Sequence, residues 1–124
     1  MEPLIIEATE DTPKVHLDAE KGEFLIADRS LPENSIEFYQ PVFEWLNNYV
    51  ASPNEETIFD FKLEYFNTSS AKQLTKVLLI LEKLAANTKV KIMWYYKKED
   101  FDMLSSGQRY AKLIEIDFEF IEFE

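Results

Sequence analysis

Apolar residues recur along this chain with two different periods, and the sharpest change between them falls at residues 67–70. From Ile58 to Phe66 the pattern alternates. Phe59, Phe61, Leu63 and Tyr65 fall on one side, and Asp60, Lys62 and Glu64 on the other, the mark of a strand with one buried face. From Ala71 the repeat lengthens to helical spacing: Leu74, Val77, Leu78, Leu81, Leu84 and Ala85 share a face, with Lys72, Gln73, Lys76, Glu82 and Lys83 on or near the opposite one. Between the two stands Asn67-Thr68-Ser69-Ser70. Open α/β sheets place their working residues at such strand-to-helix junctions.

The rest of the chain divides by the same periods. Leu4–Ala8, Lys14–Asp18 and Glu23–Ala27 read as short strands, the last two joined by a turn at Glu20-Lys21-Gly22. A capping box at Asn34 and Glu37 opens a helix whose stripe is Ile36, Tyr39, Phe43, Leu46 and Val50, running to about Ala51. Pro41 lies inside it, where the bond lost to Glu37 predicts a kink or an early non-ideal turn. Lys89–Tyr96 alternates again, with Val90, Ile92, Trp94 and Tyr96 inward. A third helix starts near Glu99-Asp100, carries Gly107 as a weak point and ends at Leu113 or Ile114; Ile116, Phe118 and Phe120 mark a final strand.

The order is therefore βββ-α-β-α-β-α-β. Parallel strands need crossover connections, so the later strands should be parallel and the early hairpin antiparallel. Strands buried on both faces would be apolar throughout. These alternate, which predicts an α/β fold in two layers: a mixed sheet with helices mainly on one face, the other carrying Asp60, Lys62, Glu64, Lys89, Lys91, Asp117 and Glu119. Residues 1–124 make one domain of this kind.

Composition narrows the function. Hydrophobic residues at 46% mark a folded chain despite a net charge of −11, which opposes binding to nucleic acid or to an anionic membrane. The chain has no cysteine, so disulfides and thiol chemistry are excluded. The first residues, Met-Glu-Pro-Leu-Ile-Ile-Glu, lack the basic region and apolar run of a signal peptide, no segment approaches the length of a membrane span, and a cytoplasmic, bacterial-type protein is expected. Glycine-rich phosphate loops are missing, since Gly22 and Gly107 are the only glycines. No metal-ligand spacing occurs, and no cofactor is expected. His16, the single histidine, lies on the polar side of its strand and reads as a surface residue. A receiver-type domain, with a phosphoaccepting aspartate, would alternate strand and helix from its start; three strands precede the first helix here.

On residue type alone, the hydroxyl cluster has two readings. One is capping, in which Asn67 or Thr68 satisfies a free amide of the first helical turn, worth about 1 kcal/mol. The other is a phosphoacceptor, because a phosphate there meets free amides and the positive end of the helix dipole.

Longer strings add to this. Ser30-Leu-Pro-Glu-Asn-Ser-Ile-Glu-Phe-Tyr-Gln-Pro-Val-Phe-Glu-Trp-Leu and Asp60-Phe-Lys-Leu-Glu-Tyr-Phe-Asn-Thr-Ser-Ser-Ala-Lys72 resemble the SiaC family of bacterial regulatory phosphoproteins. The similarity spans essentially the whole chain. It implies a STAS-like fold, as in anti-sigma-factor antagonists, and a protein without catalysis of its own. It further implies phosphorylation by a partner kinase, dephosphorylation by a PP2C-type phosphatase, and a target such as a diguanylate cyclase that the unphosphorylated form binds and activates. The family's phosphothreonine falls on Thr68. With the resemblance, the phosphoacceptor reading overtakes capping alone, and the two are compatible. Asn67, Thr68, Ser69, Ser70 and Lys72 are then the expected partner-binding residues, with Lys72 placed to pair with a phosphate. The competing expectation is a small carboxylate-dependent enzyme on the polar sheet face, with His16 as base.

Overall fold

The computed structural model describes residues 1–124. Six strands and three helices follow the expected order: β1 (Leu4–Ile6), β2 (Lys14–Asp18), β3 (Glu23–Ser30), α1 (Ser35–Ala51), β4 (Glu56–Phe66), α2 (Thr68–Ala85), β5 (Lys89–Lys97), α3 (Phe101–Leu113) and β6 (Asp117–Phe123). They form one mixed sheet whose spatial order is the chain order, β1 to β6. The pairs β1–β2 and β2–β3 are antiparallel, and every later pair is parallel.

That order explains the layering. Each crossover advances the sheet in the same direction, and right-handed crossovers repeated in one direction set all their helices on one face. The sheet never reverses its order, so it has no topological switch point, the place where open α/β sheets usually form a ligand crevice. Inward side chains of β2 to β5 and the buried stripes of the helices close one core of 23 residues, among them Phe59, Phe61, Trp94, Tyr39 and Leu78. The other face stays open. Lys62 and Glu119 are exposed there and Lys91 is half-buried, with Lys91 Nζ 2.9 Å from Glu119.

The end of β4 departs from the sequence pattern. The alternation of β4 predicts Tyr65 inward, yet Tyr65 is exposed and Phe66 packs edge-on to Trp94. The cause is a register shift: Asp28 pairs with Leu63 but Arg29 with Tyr65, so Glu64 is an extra residue. A bulge of one residue inverts every later side chain. Asp28 takes φ 74° beside it, and β3 continues to Ser30 rather than ending at Ala27. Pro41 lies inside α1, which runs from Ser35 to Ala51.

Gly107 has a specific role. A Cβ at this position would lie 2.5 Å from the indole of Trp94, which is fully buried and donates from Nε1 to the Met103 carbonyl at 3.0 Å. The glycine lets α3 settle directly on β5.

Candidate functional site

The end of β4 and the start of α2 are fixed by partners distant in sequence. Ser30, at the end of β3, pairs with Phe66 in the parallel ladder, and its carbonyl accepts from the Asn67 amide at 3.2 Å and from Ser70 Oγ at 2.9 Å. Ser30 Oγ donates to Ser70 Oγ at 2.8 Å and lies 2.7 Å from Tyr39 Oη. With the Ser30 proton committed to Ser70, the phenol is the donor to Ser30. All three side chains are completely buried. Burial pushes the Tyr39 phenol up to about 12, so it stays protonated and keeps donating at neutral pH.

Around this anchor the four junction residues separate. Asn67 is the N-cap; its Oδ1 accepts from the Ser70 amide at 2.9 Å. Ser70, expected among the surface residues, is instead wholly inside and joins α2 to β3 and α1. Ser69 is exposed, and its hydroxyl bonds to Ser35 at the start of α1. Thr68 alone is exposed with no hydrogen-bond partner on its hydroxyl. Capping is thus complete without it, and the first turn leaves one free hydroxyl facing outward.

Beside Thr68 runs a groove between α2 and α3 of about 300 Å³. Thr68, Ala71, Lys72 and Thr75 line one wall; Ser106, Arg109, Tyr110 and Leu113 line the other. Both sets have the spacing i, i+3, i+4, i+7, one stripe of each helix. The walls are tied together where Tyr110 Oη donates to the Ala71 carbonyl at 2.9 Å. Lys72 is exposed. The α3 wall was not foreseen from sequence; its stripe is legible there, but nothing in one sequence says which helix α2 will face. Larger hollows of about 670 and 610 Å³ sit at the far end, near Glu56, Thr88 and Lys89, away from the hydroxyls.

The polar sheet face does not assemble a carboxylate–histidine site. His16 and Asp60 both pair with Leu25 from opposite sides, which sets them two strand spacings apart, about 10 Å. His16 instead lies 3.4 Å from Glu7. Burial raises the Asp60 carboxyl, against the pull of Lys62, but no proton-transfer partner for it is in place. No three His, Asp or Glu side chains gather where one metal ion could be held, and no helix is long and apolar enough to cross a membrane.

Comparison with known proteins gives the family and the fold. The model of the SiaC family of regulatory phosphoproteins matches residues 6–123. An uncharacterized protein of Pseudomonas aeruginosa (strain UCBPP-PA14) is 31% identical over 101 residues, 81% of this chain and 80% of that protein. The structure of SiaC of Pseudomonas aeruginosa superposes with a TM-score of 0.89 at 26% identity, covering 99% of this chain and 100% of that one. SiaC in complex with the diguanylate cyclase SiaD, whose activator it is, gives a TM-score of 0.90 at 26% identity, over 97% of this chain and 99% of the other. With the family match running from β1 to β6 and the fold shared over the same length, the chain belongs to the SiaC family of regulatory phosphoproteins.

Proposed function

We propose that this protein is a non-catalytic partner switch acting in the cytoplasm, controlled by phosphorylation of Thr68. A kinase adds the phosphate, a PP2C-type phosphatase removes it, and the unphosphorylated form binds and activates a target such as a diguanylate cyclase. The observation that carries the reading is the division of labour at the junction: Asn67 caps, Ser69 and Ser70 are bonded internally, and Thr68 presents the one uncommitted hydroxyl. The likeness to SiaC in its complex with a diguanylate cyclase supports the choice of target. Asn67 and Ser69 share that turn, Lys72 stands on the next one, and the three form the surface that partners read; Ser70 contributes by holding the turn in place.

The switch needs only local charge. A phosphate adds about −1.5 to −2 charge at neutral pH. Across an interface built against a small hydroxyl, that charge would be buried without a partner on the target, costing several kcal/mol. A loss of about 3 kcal/mol weakens binding more than a hundredfold. Thr68→Ala should therefore bind the cyclase while resisting the kinase, and Thr68→Asp should bind it poorly. A binding titration of both variants, with melting curves as a folding control, checks this. Unchanged binding by both Thr68→Asp and the phosphorylated protein would sink the idea.

A further inference from the structure

The groove beside Thr68 differs in charge from the rest of the molecule. The chain carries 24 acidic side chains against 13 lysines and arginines, yet the groove is lined by Lys72 and Arg109 and by no carboxylate. The protein's ion pairs within 4 Å join His16 to Glu7, Arg29 to Glu64 and Lys91 to Glu119. Lys72 and Arg109 take part in none of them. Arg109 donates from Nη2 to Ser106 Oγ at 3.2 Å, which turns the guanidinium along the groove wall and leaves its other N–H groups free. Two unpaired cations from two helices thus flank a free hydroxyl, across a groove whose walls are pinned by Tyr110.

We infer that Arg109 and Lys72 form a receptor for a phosphoryl group, filled in cis by the phosphate on Thr68. This rests on Thr68 being the acceptor, and it adds α3 to the switch. A planar guanidinium matches a phosphate with two parallel bonds, whereas a lysine meets it as a point charge, so Arg109 is the dominant partner. Capture has a functional consequence. The phosphorylated form presents a filled, neutralised groove, and the unphosphorylated form presents two free cations to the target.

The test installs phosphothreonine at position 68 by genetic code expansion, which makes it independent of any kinase. Phosphorus NMR then follows the second ionisation of the phosphate with pH, in the folded protein and in the urea-unfolded chain. Nearby cations favour the dianion, so capture should lower this pKa by about one unit relative to the unfolded chain. Arg109→Gln should remove a larger part of that shift than Lys72→Gln does, the amides of the first turn of α2 keeping the remainder, and Arg109→Lys should give an intermediate value. Circular dichroism of the unphosphorylated variants should match the wild type, because both side chains are exposed. An unshifted pKa in the wild type, or a shift that survives whole in Arg109→Gln, overturns the receptor. Absence of phosphate on Thr68 in protein isolated from cells would overturn the switch instead, so the two failures are distinguishable.

Discussion

Ser70 donates to the Ser30 carbonyl inside the core, Ser69 bonds to Ser35 at its edge, and Thr68 bonds to nothing. Replacing each by alanine therefore tests something different. Ser70→Ala leaves the buried Ser30 hydroxyl without its acceptor and should cost about 1–3 kcal/mol in urea unfolding. Thr68→Ala, on an exposed site, should change stability by no more than about 0.5 kcal/mol. Equal losses would mean that Thr68 serves the fold. Tyr39 adds a dependence on pH. Its phenol is raised to about 12 when folded, against an ordinary value of 10.0, so its contribution is complete below pH 10. As the unfolded chain ionises first, stability should fall between about pH 10 and 12. Tyr39→Phe should lose less over that range, as unfolding at pH 9 and pH 11 would show. Sequence identified the hydroxyl cluster but not which hydroxyl was free. That choice is made by Ser30 and Ser35, 40 and 34 residues from Ser70 and Ser69 in the chain, with Tyr39 bonded to Ser30, and by no pattern around residue 68.

At the scale of elements, periodicity found every strand and helix because alternation and helical stripes record which side is buried. It failed where the backbone broke its own period. The bulge at Glu64 sent Tyr65 outward, and the left-handed Asp28 hid the last residues of β3, the ones that bring Ser30 to the junction. Gly107 was legible as a helix weakness but not as a contact, since its reason is the indole of Trp94 on another element. Gly107→Ala thus sets two effects against each other. Alanine favours a helix interior by about 1 kcal/mol, but its methyl would meet a fully buried ring 2.5 Å away. Overpacking of this kind costs about 1–3 kcal/mol, and the ring is held by its bond to Met103. A net loss of stability and a change in tryptophan fluorescence are expected. Because α3 also carries Arg109, the variant should weaken the phosphate receptor as well, whereas a variant more stable than wild type would mean that Trp94 yields freely.

For the whole molecule, the question is whether a phosphate reshapes the fold or only its surface. Thr68 lies outside the core of 23 residues, just past the carboxyl end of β4 in a mixed sheet that never reverses order. The site is therefore a convex turn with a shallow groove rather than a cleft that closes on a ligand. The chain already carries a net charge of −11, and a phosphate takes it only to roughly −13. That is a small change in overall repulsion and a large one at a single turn. The bonds that hold the turn, from the Asn67 amide and the Ser70 hydroxyl to the Ser30 carbonyl, do not involve the Thr68 hydroxyl. Phosphorylation should then leave amide exchange in β3, β4 and β5 unchanged and should slow it in the first turn of α2, where the new charge accepts from the amides. Residues 106–113 of α3 should be protected with it if Arg109 closes on the phosphate. Loss of protection throughout the sheet would show a switch that works by loosening the domain. Protection confined to α2 and α3 would show that the domain is a rigid platform, on which partner choice is decided by the charge of one groove.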